Sequence, residues 1–534
     1  MGKDQEVYQR FIFGLLSKTS FLAGREIVKA LTERFSISDE NARKIIQRTA
    51  ESRMIDSTKP ITFGKGQFIY MLPGKVIDLG AVKRICDRYR PPLYRIIDVL
   101  EQNDGVLSYY EALKLSASPE EKTSTKANTV DDLVYILVKL ELAYVDTDEN
   151  GIRYIIDKEI EDPQPEMALQ YSKMVQDCMF IPDILRWLRK VNIIDNLKTV
   201  YRSKTNPSKG AVHNSLPWDA FAYTKTTGIN EVHGKEAKEL KNQTLVVLDI
   251  IISREYCQSD LNGFLGRVQV NLNAVKEGKR KIMPIVFYKT ISERVQNTIA
   301  SLGFLSFQLG TIFGGRVNEL IEKVSLIQRS SGIQGDELIP KEMESLLSTI
   351  RETGQEENLS NLKGILFEFL LYPLIRAVYG NAGIIHGRLF SRKNPDKSKE
   401  GYEYDFVIRS ETPKEIVVIE AKGYSPDNRI PVGRSDMNNT LSWFYGRTLP
   451  FLKTFYTKEI AEGYKFRACY ITSAGFFEDG IAFLNAHKKL KSRLLAGYYD
   501  GAALLQLLAE LELSISRDTL EKYYLTKRED DFLW

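Results

Sequence analysis

The sequence predicts a multidomain chain of mixed class, α+β in its first third and α/β in the remainder. Two observations carry that prediction. The first third holds two runs in which helical segments are followed by a pair of short strands around a turn. From Leu216 onward, apolar strand-like runs alternate with helical ones, the pattern of sheets covered by helices. At 534 residues the chain has room for three or four domains. The breaks in composition divide it into residues 1–90, 91–160, 161–335 and 336–534.

In the first domain, Gln9 to Lys18 and Gly24 to Phe35 read as helices. Ser38 is a natural N-cap for a third helix running to about Arg53. Helical spacing turns Ala42, Ile45, Ile46 and Ala50 inward and leaves Arg43, Lys44, Gln47 and Arg48 outward. A hairpin follows over Ile61 to Tyr70, with Lys65 between two glycines at its tip. The net charge of the whole chain is only +4, yet the first hundred residues carry 18 Lys/Arg against 11 Asp/Glu. The basic balance is therefore local.

That order resembles the winged helix, a variant of the helix-turn-helix. The resemblance implies a third helix in the DNA major groove and a wing on the backbone. Arg43, Lys44, Gln47 and Arg48 would then face base edges and Lys65 a phosphate. The alternative is a basic solvated face in a winged helix that binds protein.

A second copy runs from Leu93 to about Asp157. Helices are expected over Leu93 to Gln102, Ser108 to Leu115 and, capped by Thr129, Asp131 to Leu140, before a hairpin turning at Asp148-Glu149-Asn150-Gly151. Its third helix opens with Asp131-Asp132, and its turn carries Asp146, Asp148 and Glu149. Those acids would face phosphates, so this copy is expected to pack against a neighbour or a partner. The polar segment Ser116 to Asn128, with Lys122 and Lys126, is expected to be mobile.

Composition excludes several classes. The chain is 43% apolar and 27% charged, as in a soluble globular protein. No run approaches the ~20 apolar residues of a membrane span. Met1 to Glu6 lack the basic-then-apolar order of a secretion signal, so a cytoplasmic location is expected. Cys86, Cys178, Cys257 and Cys469 fit neither a disulfide framework nor a zinc spacing. Gly310 and Gly315 have the glycine spacing of a phosphate loop, but Arg316-Val317 follow where Lys-Ser/Thr is needed, so no nucleotide is expected. The four histidines show no metal-pair spacing, and His386 is expected at the surface.

The strongest chemical signal lies near the C-terminal end. Tyr404-Asp405-Phe406-Val407-Ile408 and Ile416-Val417-Val418-Ile419-Glu420-Ala421-Lys422 are strand-like runs joined by a polar segment containing Pro413. Side chains alternate along a strand, so Glu420 and Lys422 share a face. Antiparallel pairing would bring Asp405 to the same end. Upstream, Asn361 to Val378 reads as a helix with Glu368 among apolar neighbours. Downstream, Asp436 to Thr454 reads as mostly helical, with Pro450 ending it early. Phe466 to Ile471 reads as a strand, and Asp479 to Leu490 as a helix.

This constellation resembles the PD-(D/E)xK nucleases of the restriction-endonuclease-like fold, over about residues 355 to 510. The resemblance implies an α/β/α domain in which Asp405, Glu420 and the Ala421 carbonyl hold Mg²⁺, with Mn²⁺ as a substitute. It implies that Lys422 positions or deprotonates the attacking water and stabilises the transition state. Glu368 would hold a water of the ion's shell or a second ion. The family's usual proline before the first aspartate is absent here.

The middle third carries a similar order. Leu216 to Tyr223, containing Asp219, stands for the first strand, and Thr244 to Ile251, containing Asp249, for the second. Strand, helix, strand and helix are then expected over Met283 to Tyr288, Ser292 to Leu302, Phe304 to Phe307 and Gly315 to Val324. Ile251 stands where the lysine should be. This domain is either a decayed nuclease-like copy or an unrelated α/β domain.

The resemblances together imply a sequence-specific restriction endonuclease acting in phage defence on double-stranded DNA. It would act as a homodimer or a transient dimer on DNA, with a cognate methyltransferase as companion. The alternatives are a structure-directed repair nuclease and a non-catalytic winged-helix DNA-binding protein with a vestigial nuclease domain.

Overall fold

The computed structural model describes residues 3–118, 129–195, 199–225, 244–273, 281–330, 338–393 and 399–526. It is a mixed helix and strand architecture with several sheets. The expectation for Lys122 and Lys126 lies outside the described residues.

The chain opens with helix Lys3–Thr19, strand Phe21–Ala23, helices Gly24–Phe35 and Asp39–Glu51, and strands Asp56–Ser57 and Ile69–Met71. The last strand lies between the other two. The third helix begins where Ser38 Oγ accepts the Asn41 amide at 3.3 Å. Its buried face is Ala42, Ile45, Ile46 and Thr49. The hairpin differs from the sequence reading. Pairing runs through Asp56–Ser57 rather than Ile61 onward. Pro60 has no N–H to donate, and Thr58 closes the ladder by bonding Ile69 through both its amide and its hydroxyl. Residues 61–68 form a long turn instead.

The same order recurs next. Helix Pro91–Gln102, strand Val106–Ser108, helices Tyr109–Ser116 and Val130–Lys139, and strands Ala143–Thr147 and Arg153–Asp157 again place the last strand centrally. Ser108 and Thr129 cap the two inner helices through their hydroxyls. Helix Leu79–Tyr89 joins the two units, and one apolar cluster containing Phe63, Ile85, Leu100 and Leu133 runs through both.

Two five-stranded sheets follow, and they share one topology. In the central sheet the order is Leu305–Gln308, Ile282–Ile291, Thr244–Tyr256, Ala220–Thr224, Val200–Tyr201. In the C-terminal sheet it is Tyr498–Tyr499, Lys465–Thr472, Lys414–Lys422, Lys399–Glu411, Gly383–Lys393. In each, the first three strands in chain order are mutually antiparallel and the last two add in parallel. Each sheet is preceded by a helix, Ile181–Lys190 in one and Ser360–Tyr379 in the other.

Those two helices lie inside a single apolar cluster that joins the sheets, from Ile184, Val246 and Phe287 to Leu366, Phe406 and Cys469. Ser360–Tyr379 is apolar around most of its circumference, as a helix packed on several sides must be. Its first amides are satisfied from across that core, because Asp183 accepts from Asn361 and Leu362 at 3.0 Å each. Burial pushes the Asp183 carboxyl up to about 6.

Two helical expectations need correction. Helix formation after residue 436 starts only at Leu441, capped by Thr440, and Pro450 does not end it. Pro450 lies inside a continuous helical run, directly after the π-helix Phe444–Thr448, where the backbone bonding is already widened around its missing N–H. Helix Gln258–Asn273, between strands Thr244–Tyr256 and Ile282–Ile291 of the central sheet, has no counterpart in the sequence reading. Cys86, Cys178 and Cys469 are buried free thiols, and no helix among the described residues is long and apolar enough to cross a membrane.

Candidate active site

Strands Lys399–Glu411 and Lys414–Lys422 pair antiparallel with Phe406 opposite Ile419. That register carries Asp405 to the end where Glu420 and Lys422 emerge. Asp405 Oδ2 accepts the Ala421 amide at 2.7 Å. The Lys422 ammonium lies 2.6 Å from Glu420 Oε1, 3.5 Å from Asp405 Oδ2 and 3.2 Å from the Ala421 carbonyl oxygen. One cationic group thus touches the three oxygen donors expected to hold an ion.

The electrostatics follow from burial. Desolvation, reinforced by Asp405, pushes the Glu420 carboxyl up to about 7 despite the ion pair with Lys422. Burial lowers the Lys422 pKa, but Asp405 and Glu420 outweigh it and hold that pKa well above the ordinary lysine value. So held, Lys422 is a charged ammonium that donates hydrogen bonds to the oxygens around it.

Glu368 reaches the same region from helix Ser360–Tyr379. Its two oxygens accept from Lys204 Nζ at 3.0 and 2.8 Å, and His386 Nε2 lies 3.2 Å from Oε2. Burial alone would raise the Glu368 carboxyl; Lys204, then His386, hold it at about 2. His386 is therefore not a surface histidine. It is half-buried and stacks on Phe406, its partner across the strand pair, with ring centroids 4.6 Å apart. Glu403 stands two residues before Asp405 and accepts from Thr205 Oγ1 at 3.0 Å.

Lys204 and Thr205 belong to the segment that leaves strand Val200–Tyr201 of the central sheet. Nothing in the local sequence singles them out. Glu403 is recoverable from the sequence, since strand alternation puts it on the Asp405 face. A cleft of about 700 Å³ opens beside Glu368, lined by Lys204, His386, Phe369, Tyr171 and Tyr372 together with Asp148 and Glu149 of the second helical unit.

The central sheet holds a matching constellation with different chemistry. Ala220 pairs with Leu248 as Phe406 pairs with Ile419, so Asp219, Asp249 and Ile251 occupy the positions of Asp405, Glu420 and Lys422. Asp219 Oδ2 accepts the Ile250 amide at 2.8 Å, as Asp405 accepts that of Ala421. In place of a lysine on the strand, Lys114 enters from helix Tyr109–Ser116, bonding Asp219 and lying 3.0 Å from Asp249. Arg202 lies 3.2 Å from Asp219 and Arg267 2.7 Å from Asp249. Burial would raise the Asp249 carboxyl, but Lys114 and Arg267 hold it well below the carboxylate range. Two carboxylates here meet three fixed cationic side chains.

Arg43, Lys44, Gln47 and Arg48 are all exposed on helix Asp39–Glu51, with Lys44 2.8 Å from Glu40 and Gln47 donating to Glu51 at 2.8 Å. Lys65 is exposed at a turn of three left-handed residues, with φ of 92°, 49° and 68° at Gly64, Lys65 and Gly66. In the second unit the acids are engaged locally. Asp148 accepts from the Asn150 and Ile152 amides and from Tyr154, while Asp131 meets Tyr109 and Arg153.

Among the described residues, no group of three or more His, Cys, Asp or Glu side chains is arranged as a metal site. The set at Asp405 offers two carboxylates and one backbone carbonyl. Magnesium sites in general take one or two carboxylates from the protein and complete the shell with water and phosphate oxygens. No family model, no curated protein and no solved structure matches the chain.

Proposed function

We propose that the protein is a Mg²⁺-dependent DNA endonuclease, a restriction enzyme that reads DNA through its first helical unit and hydrolyses phosphodiester bonds at Asp405, Glu420 and Lys422. The observation that carries this reading is the convergence of Lys422 Nζ on Asp405, Glu420 and the Ala421 carbonyl. An ammonium marks a place where oxygen donors favour a cation. A hard divalent ion satisfies the same donors better, because it tolerates anionic oxygens at short range.

In this reading Asp405, Glu420 and the Ala421 carbonyl hold Mg²⁺, with Mn²⁺ as a substitute. The ion supplies Lewis-acid polarisation of a phosphate oxygen and neutralises developing charge. Lys422 then orients the attacking water and donates a hydrogen bond to the pentavalent transition state. Glu368, fixed by Lys204 and His386, would hold a water of the ion's shell or a second ion. The first two units read as winged helices, with Arg43, Lys44, Gln47, Arg48 and Lys65 as the DNA contacts. The central sheet reads as a decayed copy of the catalytic domain. One chain then cuts one strand, and double-strand cleavage requires a homodimer or a transient dimer on DNA. Phage defence in the cytoplasm, beside a cognate methyltransferase, is the setting this reading implies.

Wild type and Lys422→Ala, incubated with plasmid and phage DNA in Mg²⁺ or EDTA, test it. Discrete Mg²⁺-dependent fragments are expected from wild type, and the variant should lose a hundredfold or more in rate, on the order of one lost transition-state donor. DNA binding without cleavage by wild type in any divalent metal would leave a binding protein in place of the enzyme.

A further inference from the structure

Lys204 belongs to one sheet and serves the other. It follows Val200–Tyr201, the edge strand of the central sheet, yet its ammonium lies 2.8 and 3.0 Å from the two oxygens of Glu368. The segment that carries it is fixed at both ends. Arg202 is buried on Asp219, and its Nε donates to the Pro207 carbonyl at 2.5 Å. One residue past Lys204, Thr205 donates to Glu403 at 3.0 Å. A loop of this kind would be an ordinary interdomain ion pair if it ended on a surface acid. Instead it ends on Glu368, Glu403 and, within electrostatic range, Asp405, the carboxylates around the candidate active site.

We propose that Lys204 is a positioning residue of the active site, supplied by the central unit, which fixes the Glu368 carboxylate and offsets the negative charge of the cation site. The proposal rests on the nuclease reading and extends it. Two consequences separate it from a structural role. Fixing Glu368 helps turnover, so losing Lys204 slows it. Offsetting charge weakens cation binding, so losing Lys204 strengthens it. A merely structural lysine, once removed, would loosen the site and weaken both.

The test uses full-length wild type, Lys204→Met, Lys204→Arg, Glu368→Gln and the double variant Lys204→Met/Glu368→Gln. Titration calorimetry with Mn²⁺ reads the cation site, and Mg²⁺-dependent plasmid cleavage reads kcat and KM. For Lys204→Met we expect Mn²⁺ Kd to fall roughly three- to tenfold while kcat falls at least about tenfold, with KM little changed. Lys204→Arg should recover most of both. The double variant should be no slower than Glu368→Gln alone, because Lys204 acts through Glu368. Unchanged or weaker Mn²⁺ binding in Lys204→Met, or a rate loss fully additive with that of Glu368→Gln, would overturn the proposal. If Lys204→Met does not fold, Lys204→Gln replaces it. Should wild type cleave no DNA, the nuclease reading fails by itself. The Mn²⁺ arm still decides Lys204: an unchanged or raised Kd in the variant overturns its placement.

Discussion

Lys114 Nζ lies 3.0 Å from Asp249 Oδ1, although the two residues belong to different units of the chain. Lys114 comes from the second helical unit and Asp249 from the central sheet, where it holds the position that Glu420 holds in the C-terminal sheet. The two lysines, Lys114 and Lys422, therefore fill corresponding places. Lys422 is carried by the strand itself, beside the carboxylates it bonds. Lys114 is buried with Arg202 and Arg267 around it, so its cation is part of the fold.

Removing Lys114 leaves one arginine for each aspartate and takes away the one cation that touches both. Lys114→Met is expected to destabilise the protein by about 3 kcal/mol, the usual scale for breaking a buried pair. Urea denaturation followed by fluorescence measures it. Lys114→Met combined with Asp249→Asn should regain part of that loss. A loss well under 1 kcal/mol in the single variant would mean that Arg202 and Arg267 alone satisfy the two aspartates.

The same pair shows what the sequence can and cannot disclose. Asp405, Glu420 and Lys422 are legible because each is placed by its own strand, and alternation fixes the face. The outward row Arg43, Lys44, Gln47 and Arg48 is legible for the same local reason, with Ser38 marking the helix start. Lys114 and Lys204 are not, because their partners lie 105 and 164 residues away. Helix Gln258–Asn273 escapes a reading by periodicity because its buried face mixes Asp260, Gly263, Arg267 and Asn271 with the apolar Leu261, Phe264 and Val268. Polar side chains are buried there because Asp249 and the neighbouring unit need them. His386 escapes it too, because one residue on an edge strand gives no sign of which face it takes.

Gly263 sets how closely the second unit approaches. A Cβ there would come within 2.7 Å of the Lys114 carbonyl oxygen and 2.9 Å of Leu115 Cα. Both are backbone atoms of helix Tyr109–Ser116, so the helix itself would have to move. Gly263→Ala is expected to cost about 1–3 kcal/mol through overpacking, despite alanine's better helix propensity. Thermal unfolding reads the cost. A Tm at or above wild type would show that the helices separate freely and that Lys114 reaches its aspartates regardless.

On the first unit, the nuclease reading requires phosphate neutralisation that salt can dissect. Arg43→Ala, Arg48→Ala and Lys65→Ala should each weaken DNA binding and lower the slope of log K against log salt by about 1 for every phosphate no longer neutralised. Arg48→Ala and Gln47→Ala should in addition relax sequence preference if those side chains meet base edges. Binding isotherms between low and physiological salt measure both effects. Unchanged slopes in all three basic variants would move the DNA interface away from helix Asp39–Glu51 and its neighbouring turn.

Cation binding should depend on pH through Glu420. Its carboxyl is raised from 4.5 to about 7, first by burial and then by Asp405, against the pull of Lys422. The folded protein thus keeps a proton that the unfolded chain releases near pH 4.5. The stability tied to that proton is fully present below pH 4.5 and is lost as pH rises through about 7, by at most about 3 kcal/mol. A divalent ion needs the carboxylate, so it competes with the same proton. Only about a tenth of Glu420 is ionised at pH 6 and about nine-tenths at pH 8, which predicts roughly tenfold weaker Mg²⁺ binding at the lower pH. Glu420→Gln should bind Mg²⁺ poorly at both and should gain stability over wild type between pH 6 and 8. Calorimetric titrations at the two pH values, with thermal unfolding of the variant beside wild type, check each part. Equal Mg²⁺ affinity at pH 6 and pH 8 in wild type would remove Glu420 from the ion's ligands and leave Asp405 to hold it with backbone and water alone.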